Sequence, residues 1–117
     1  MSQIYKKGGD WVEFEFVKVE VLLPEEYIEE IRNQLNDLGV LTVGNYDHVV
    51  SYAVVQGYWR PLEAASPFKG TNGEISFGTE CKMEFKCAKK NIERVKKLIR
   101  NCHPYEEPVI NIIPLLS

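Results

Sequence analysis

The chain's most chemically suggestive stretch lies near its end, where His103-Pro104-Tyr105-Glu106-Glu107-Pro108 sets one imidazole and two carboxylates within six residues. Imidazole and carboxylate suit a divalent cation, and the prolines fix φ and limit how far these groups wander. His103 and Glu106 are the expected metal ligands, with Tyr105 and Glu107 as contacts for a small ligand. The competing reading is a rigid corner in which His103 and one carboxylate satisfy backbone N–H groups, since one histidine and two carboxylates fall short of a convincing ligand set. A second polar cluster, Gly44-Asn45-Tyr46-Asp47-His48, offers Asn45 and Asp47 as ligand contacts, against the alternative of an Asx turn. Asp47 beside His48 has the makings of a base and its orienting partner, but adjacent strand residues are expected to point to opposite faces. Arg60, Lys69 and Gly70 are candidate contacts on the long irregular stretch Arg60 to Gly78, although Lys69-Gly70-Thr71-Asn72-Gly73 lacks P-loop spacing and no helix follows it. Cys102 adjoins His103, yet its helical spacing turns it inward as a core thiol. No nucleophile and base can be read together, so no catalytic residue is assigned.

The elements that must carry these groups follow from periodicity. Residues 1–15 read as a flexible lead-in or a short extra strand. The apolar parity slips between Phe16 and Val17, which a bulge or a separate short strand repairs, and places the main strand at about Phe16 to Leu23. Pro24-Glu25-Glu26 opens a helix with Tyr27, Ile28, Ile31, Leu35 and Leu38 inward and Gly39 at its end. Val49 to Trp59 is β-rich and apolar on both parities, so it is expected to be covered on both faces, by the helical layer and by a second copy of the chain. Thr79 to Cys87 alternates cleanly, and Lys89 to Cys102 is an amphipathic helix whose basic outer face reads as solvated. The last strand, Val109 to Pro114, carries an internal proline suited to a sheet edge. Strand, helix, strand, strand, helix, strand is the α+β ferredoxin-like split βαβ sandwich (βαββαβ), an antiparallel sheet with two helices on one face, spanning residues 16–117 as a single domain. That topology puts His103 to Glu107 near the Arg60 to Gly78 loop and Asn45 to His48 at the opposite end of the sheet.

Composition narrows the function classes. The 117 residues are 44% hydrophobic and 26% charged, which fits one ordinary domain. A net charge of -3 gives no electrostatic reason to expect nucleic acid. No apolar run reaches the length of a membrane span and the first residues lack the pattern of a signal peptide, so no membrane is expected and the expected location is cytoplasmic. Cys81, Cys87 and Cys102 lack CxxC spacing and read as reduced thiols.

Gly44-Asn45-Tyr46-Asp47, Arg60-Pro61-Leu62-Glu63, Ser66-Pro67-Phe68, Gly70, Gly73, Glu80 and the closing His103-to-Pro108 stretch, in this order and spacing, resemble the Nif-three-like family. More narrowly they resemble its inserted PII/CutA-like middle domain, as a stand-alone protein, over roughly Phe16 to Leu115. The resemblance implies a fold akin to PII signalling proteins and CutA, which are trimers, and hence self-association with a trimer as the expected size. The family's two-metal centre lies in flanking halves that this sequence does not contain, so hydrolase activity does not carry over with it. The cysteine that usually follows the GNYD stretch is replaced here by Val49-Val50. The expected function is an oligomeric binding or regulatory module taking a small ligand or a divalent metal ion. The alternatives are a metal-assisted hydrolase acting on a nucleotide-like substrate at a subunit interface, and a structural or assembly domain without ligand.

Overall fold

The structure, a computed structural model, describes residues 3–7 and 10–116, with side chains described from residue 13 onward. Two short strands, Gln3–Lys7 (β1) and Asp10–Phe14 (β2), pair antiparallel in a ribbon of their own. After a bend at Glu15 the chain enters Phe16–Leu23 (β3), and the break at Glu15 resolves the parity slip seen in the sequence. Lys89 N–H donates to the Glu15 carbonyl at 2.9 Å, which ties this bend to the start of the second helix. The remaining elements are Ile28–Asp37 (α1), Ser51–Trp59 (β4), Ser76–Ala88 (β5), Ile92–Cys102 (α2) and Ile110–Leu115 (β6), each helix being preceded by a single 3-10 turn. Pro24 stands in extended conformation before the first such turn, and its carbonyl accepts the Tyr27 N–H at 3.0 Å. Gly39, at φ 85, reverses the chain after α1.

The main sheet runs β4-β5-β3-β6 with every neighbouring pair antiparallel, which is the ferredoxin-like order. Alternation in β3 sends Val17, Val19, Val21 and Leu23 to one face, and β5 adds Cys81, Met83, Phe85 and Cys87 to the same face. Ile28, Ile31 and Leu35 of α1 and Val95 and Ile99 of α2 close over them, all at most 7% exposed. At about 25 cal/mol per Å² of apolar surface removed from water, this single layer of contacts is the main source of stability. Arg94 Nη2 of α2 donates to the Leu38 carbonyl at 3.4 Å, so a cation meets the carboxyl end of α1. Among the described residues no helix is long and apolar enough to cross a membrane.

Two expectations are corrected here. β4 was expected to be covered by the helical layer, but it is exposed or half-buried along its whole length. It is an edge of the sheet, and the helices pack over β3 and β5, leaving Tyr52 at 49% and Val54 at 62% exposed. The other correction concerns β5, which begins at Ser76 rather than Thr79, so that Gly78 is a strand residue. A Cβ there would stand 2.9 Å from Cη2 of Trp59, and the glycine therefore serves the packing of that ring. The sheet face turned away from the helices is polar at its centre, with Lys18 Nζ 3.0 Å from Glu20 and 3.4 Å from Glu84. Apolar exposure is concentrated instead on β4 and the adjoining start of β5.

Candidate functional site

The second β-hairpin ends in an irregular loop, residues 60–75, that is folded upon itself. Gly73 N–H donates to the Pro61 carbonyl at 2.7 Å, and Asn72 Nδ2 donates to the carbonyls of Glu63 and Ala65, each at 3.1 Å. Trp59 fastens the loop's return limb, since its indole Nε1–H donates to the Lys69 carbonyl at 3.0 Å. Gly70, at φ 104, passes so close to this ring that a Cβ would lie 3.0 Å from Nε1 and 2.8 Å from the Ser76 hydroxyl. Both the φ and the space require glycine.

The outgoing limb is fastened to the His103-to-Pro108 corner. Glu106 Oε2 accepts the Ser66 N–H at 2.9 Å across 40 positions of sequence. Phe68 stands edge-on to Tyr27 at 6.2 Å and tilted against Tyr105 at 5.9 Å, so the loop's aromatic residue sits between the turn that leads into α1 and the corner. Tyr105 OH donates to Glu80 Oε1 at 3.3 Å. Burial first, and then the Glu80 carboxylate, push the Tyr105 phenol well above its ordinary value, so it stays protonated.

His103 lies beneath this corner at 8% exposure with both ring nitrogens engaged. Nε2–H donates to the Leu22 carbonyl at 2.6 Å, and Nδ1 accepts the Tyr105 N–H at 3.1 Å, an arrangement that assigns the neutral Nε2–H tautomer. Burial holds its pKa below the ordinary value, because charging it would strand a cation under the corner and remove the lone pair that the Tyr105 N–H uses. His103 is thus the keystone of the turn: it joins the end of β3 to the corner and sets the height of Tyr105. Among the described residues no three His, Cys, Asp or Glu side chains converge as a metal cluster would.

These attachments leave an open cleft of about 890 Å³ between the loop, the start of β5 and the corner. Arg60, Lys69, Gly70, Tyr105, Glu106 and Glu107 all line it, so the structure brings together six of the nine residues singled out in the sequence. Asn45 and Asp47 are not among them. They sit before β4, at the opposite end of that strand from Arg60. His48 there adopts φ 56, with its N–H donating to Asn36 Oδ1 at 2.8 Å and its Nδ1 2.9 Å from Asp47 Oδ1. The expectation that Asp47 and His48 diverge is overturned: His48 stands outside the strand in the left-handed region, and this turns its ring back onto Asp47. The His48 contact also holds the Asp47 carboxyl below its ordinary value.

The sequence reading missed the cleft's aromatic shelf. Tyr58 and Phe77 face each other across β4 and β5 at 4.9 Å between centroids, and are 74% and 56% exposed. The available signal was that both are large apolar residues of a strand pair extending past the helices. It could be read only once β4 was known to be an edge.

The family model for the CutA1 divalent ion tolerance protein matches residues 66–117. The curated protein "GTP cyclohydrolase 1 type 2 homolog" of Staphylococcus epidermidis (strain RP62A) is 34% identical over 100 residues, covering 86% of this chain and 27% of that protein. The protein of the same description from Bacillus subtilis (strain 168) is 33% identical over 98 residues, covering 84% and 26%. The chain thus spans about a quarter of the length of these relatives. Among solved structures, a Bacillus cereus protein related to NIF3 superposes with a TM-score of 0.75 at 29% identity, over 89% of this chain and 26% of that one. CutA from Synechococcus elongatus PCC7942 gives 0.67 at 16% identity over 97% and 83%, and B. subtilis GlnK gives 0.61 at 15% over 86% and 85%; these two share the fold.

Proposed function

Starting from a CutA1/PII-like domain related to the Nif-three-like family, we propose that this chain is a self-associating binding module that takes a small ligand in the cleft between the 60–75 loop and the His103-to-Pro108 corner. The observation that carries the reading is the cleft's construction. Its loop is already fastened by Trp59, Asn72 and Glu106, so a ligand meets walls whose ordering cost has been met in folding. The Asp47–His48 pair has the geometry of a base and its orienting partner, but it lies at the other end of β4, which favours binding over hydrolysis at this cleft.

The description of the matching family invites a divalent ion, and the fit to His103 is poor. A metal there would have to displace the Leu22 carbonyl from Nε2 or the Tyr105 N–H from Nδ1, and so dismantle the turn. Glu106 holds Ser66 through Oε2 alone, and among the described residues its other oxygen joins no group of three metal-ligating side chains. We therefore take the cleft's ligand to be an organic molecule that meets Arg60 and Glu107.

Self-association has its own support. β4 presents nine residues without a charge or a proline along a free sheet edge, the kind of edge that pairs with another chain. β4 and β6 are the sheet's two unlike edges and run antiparallel to each other, so joining β4 of one copy to β6 of the next continues the sheet, a head-to-tail contact that forms a ring when the rotation between copies closes. Three copies is the proposed ring. Thermal melting with a panel of small metabolites and with Mn²⁺, Zn²⁺ and Mg²⁺ tests the binding reading, because a ligand that prefers the folded state must raise the midpoint. A metabolite that raises it in wild type and not in Arg60→Ala supports the reading. A panel that raises no midpoint, or shifts equal in both proteins, overturns it.

A further inference from the structure

Five charged side chains line the cleft: Arg60 and Lys69 against Glu80, Glu106 and Glu107, a formal balance of two positive and three negative. Three of them are engaged. Glu80 accepts the Tyr105 hydroxyl, Glu106 accepts the Ser66 N–H, and the Lys69 ammonium lies 6.0 Å from the Phe68 ring centroid. Arg60 and Glu107 have no hydrogen bond or ion pair among the described residues, so they are the cation and the carboxylate of the cleft left without a partner of their own. The shelf of Tyr58 and Phe77 adds two exposed aromatic faces that a folded chain gains nothing by leaving wet.

On the reading that this cleft is a small-molecule site, we propose that its ligand is an aromatic zwitterion of the class of aromatic α-amino acids. The ligand's carboxylate pairs with Arg60, its ammonium with Glu107, and its ring lies against Tyr58 and Phe77. The guanidinium fork matches a carboxylate in two parallel hydrogen bonds. A simple polyanion is disfavoured because the carboxylates in the cleft outnumber the cations, and a simple cation because it leaves Arg60 unmatched. A volume of about 890 Å³ accommodates a molecule of this size together with water.

Calorimetric titration of the full chain with L-phenylalanine tests this against three analogues, each lacking one feature. Phenethylamine lacks the carboxylate, 3-phenylpropionate lacks the ammonium, and cyclohexylalanine lacks the aromatic ring. L-Phenylalanine is expected to bind saturably, and each analogue about tenfold or more weakly, the loss that follows one missing charge-assisted or ring contact. Arg60→Ala should bind L-phenylalanine no better than phenethylamine, and Glu107→Gln no better than 3-phenylpropionate. Both side chains are exposed, so the variants keep the fold, and Phe77→Leu offers a third that keeps the apolar bulk while losing the ring. Analogues that bind as well as L-phenylalanine overturn the proposal. If another metabolite raises the melting midpoint through Arg60 while no aromatic zwitterion binds, this inference falls and the binding-module reading stands. If nothing binds at all, both fall.

Discussion

Replacing His103 by alanine removes the residue on which the corner is built, and the cost can be worked from its contacts. The Leu22 carbonyl and the Tyr105 N–H each lose a partner in a place the ring had filled, about 1 kcal/mol apiece when water reaches them in part. The ring also stands 4.6 Å from the Tyr105 centroid, a contact contributing about another 1 kcal/mol. The total of about 3 kcal/mol corresponds to a fall in melting midpoint of roughly 10 °C for a chain of this size. A second variant, His103→Gln, keeps polar atoms but cannot titrate, and so isolates the imidazole's charge. In wild type, burial holds the folded imidazole's pKa below the 6.5 of the unfolded chain. His103 therefore contributes in full above about pH 6.5. As the pH falls below that value the unfolded state takes up the proton first, so the contribution declines and levels off beneath the folded pKa. Urea unfolding of wild type and His103→Gln should show the gap between them narrowing from about pH 7.5 to about pH 5. A gap that stays constant or widens over that range would refute the neutral, doubly bonded imidazole.

The loop's fastenings give further expectations. Gly70→Ala should destabilise by about 2 kcal/mol or more, since it meets both an unfavourable φ and the Ser76 and Trp59 side chains, while Gly73→Ala, with open space around it, should lose only about 1 kcal/mol; equal losses in urea unfolding would show that the close approach is immaterial. Trp59→Phe keeps a ring over Gly78 but loses the hydrogen bond to Lys69, and should speed amide exchange in residues 69–73 while lowering global stability by about 1 kcal/mol. Glu106→Ala should open residues 62–68 to limited proteolysis with the core melting nearly unchanged, and resistance equal to wild type would mean that the Ser66 contact holds nothing. Cys81 and Cys87 are buried and Cys102 is partly exposed, so a thiol reagent should label Cys102 first in the native protein and the other two only with unfolding.

The fold was legible because its signals are periodic and strong. Four alternating positions in β3 and four in β5 define one buried face, and the helices repeat their apolar residues at the spacing that covers it. The cleft's polar residues were legible because proline and glycine mark the corner and the loop as places where side chains are held. The coverage of β4 was not legible, since apolar residues on both parities say that a strand has much to bury and not whether its own chain buries it. The convergence of Asp47 and His48 depends on one residue at φ 56, which the sequence does not announce for a histidine. Tyr58 was passed over because a strand aromatic reads as core until the sheet order shows an edge, and Phe77 because the strand was expected to begin only at Thr79. The contact of the His103 Nε2 with the Leu22 carbonyl was not legible, because that carbonyl lies 81 positions away in sequence.

Sedimentation of the wild-type chain beside Val54→Lys tests most directly the claim that this is a module built to work in several copies. Val54 is 62% exposed at the middle of the free strand, so a lysine there leaves the fold intact while placing a charge where a neighbouring copy would pair. Wild type is predicted to sediment at a multiple of its 13.5 kDa mass at micromolar concentration, and the variant as a single chain. A wild-type protein that sediments as a single chain throughout that range would contradict the account.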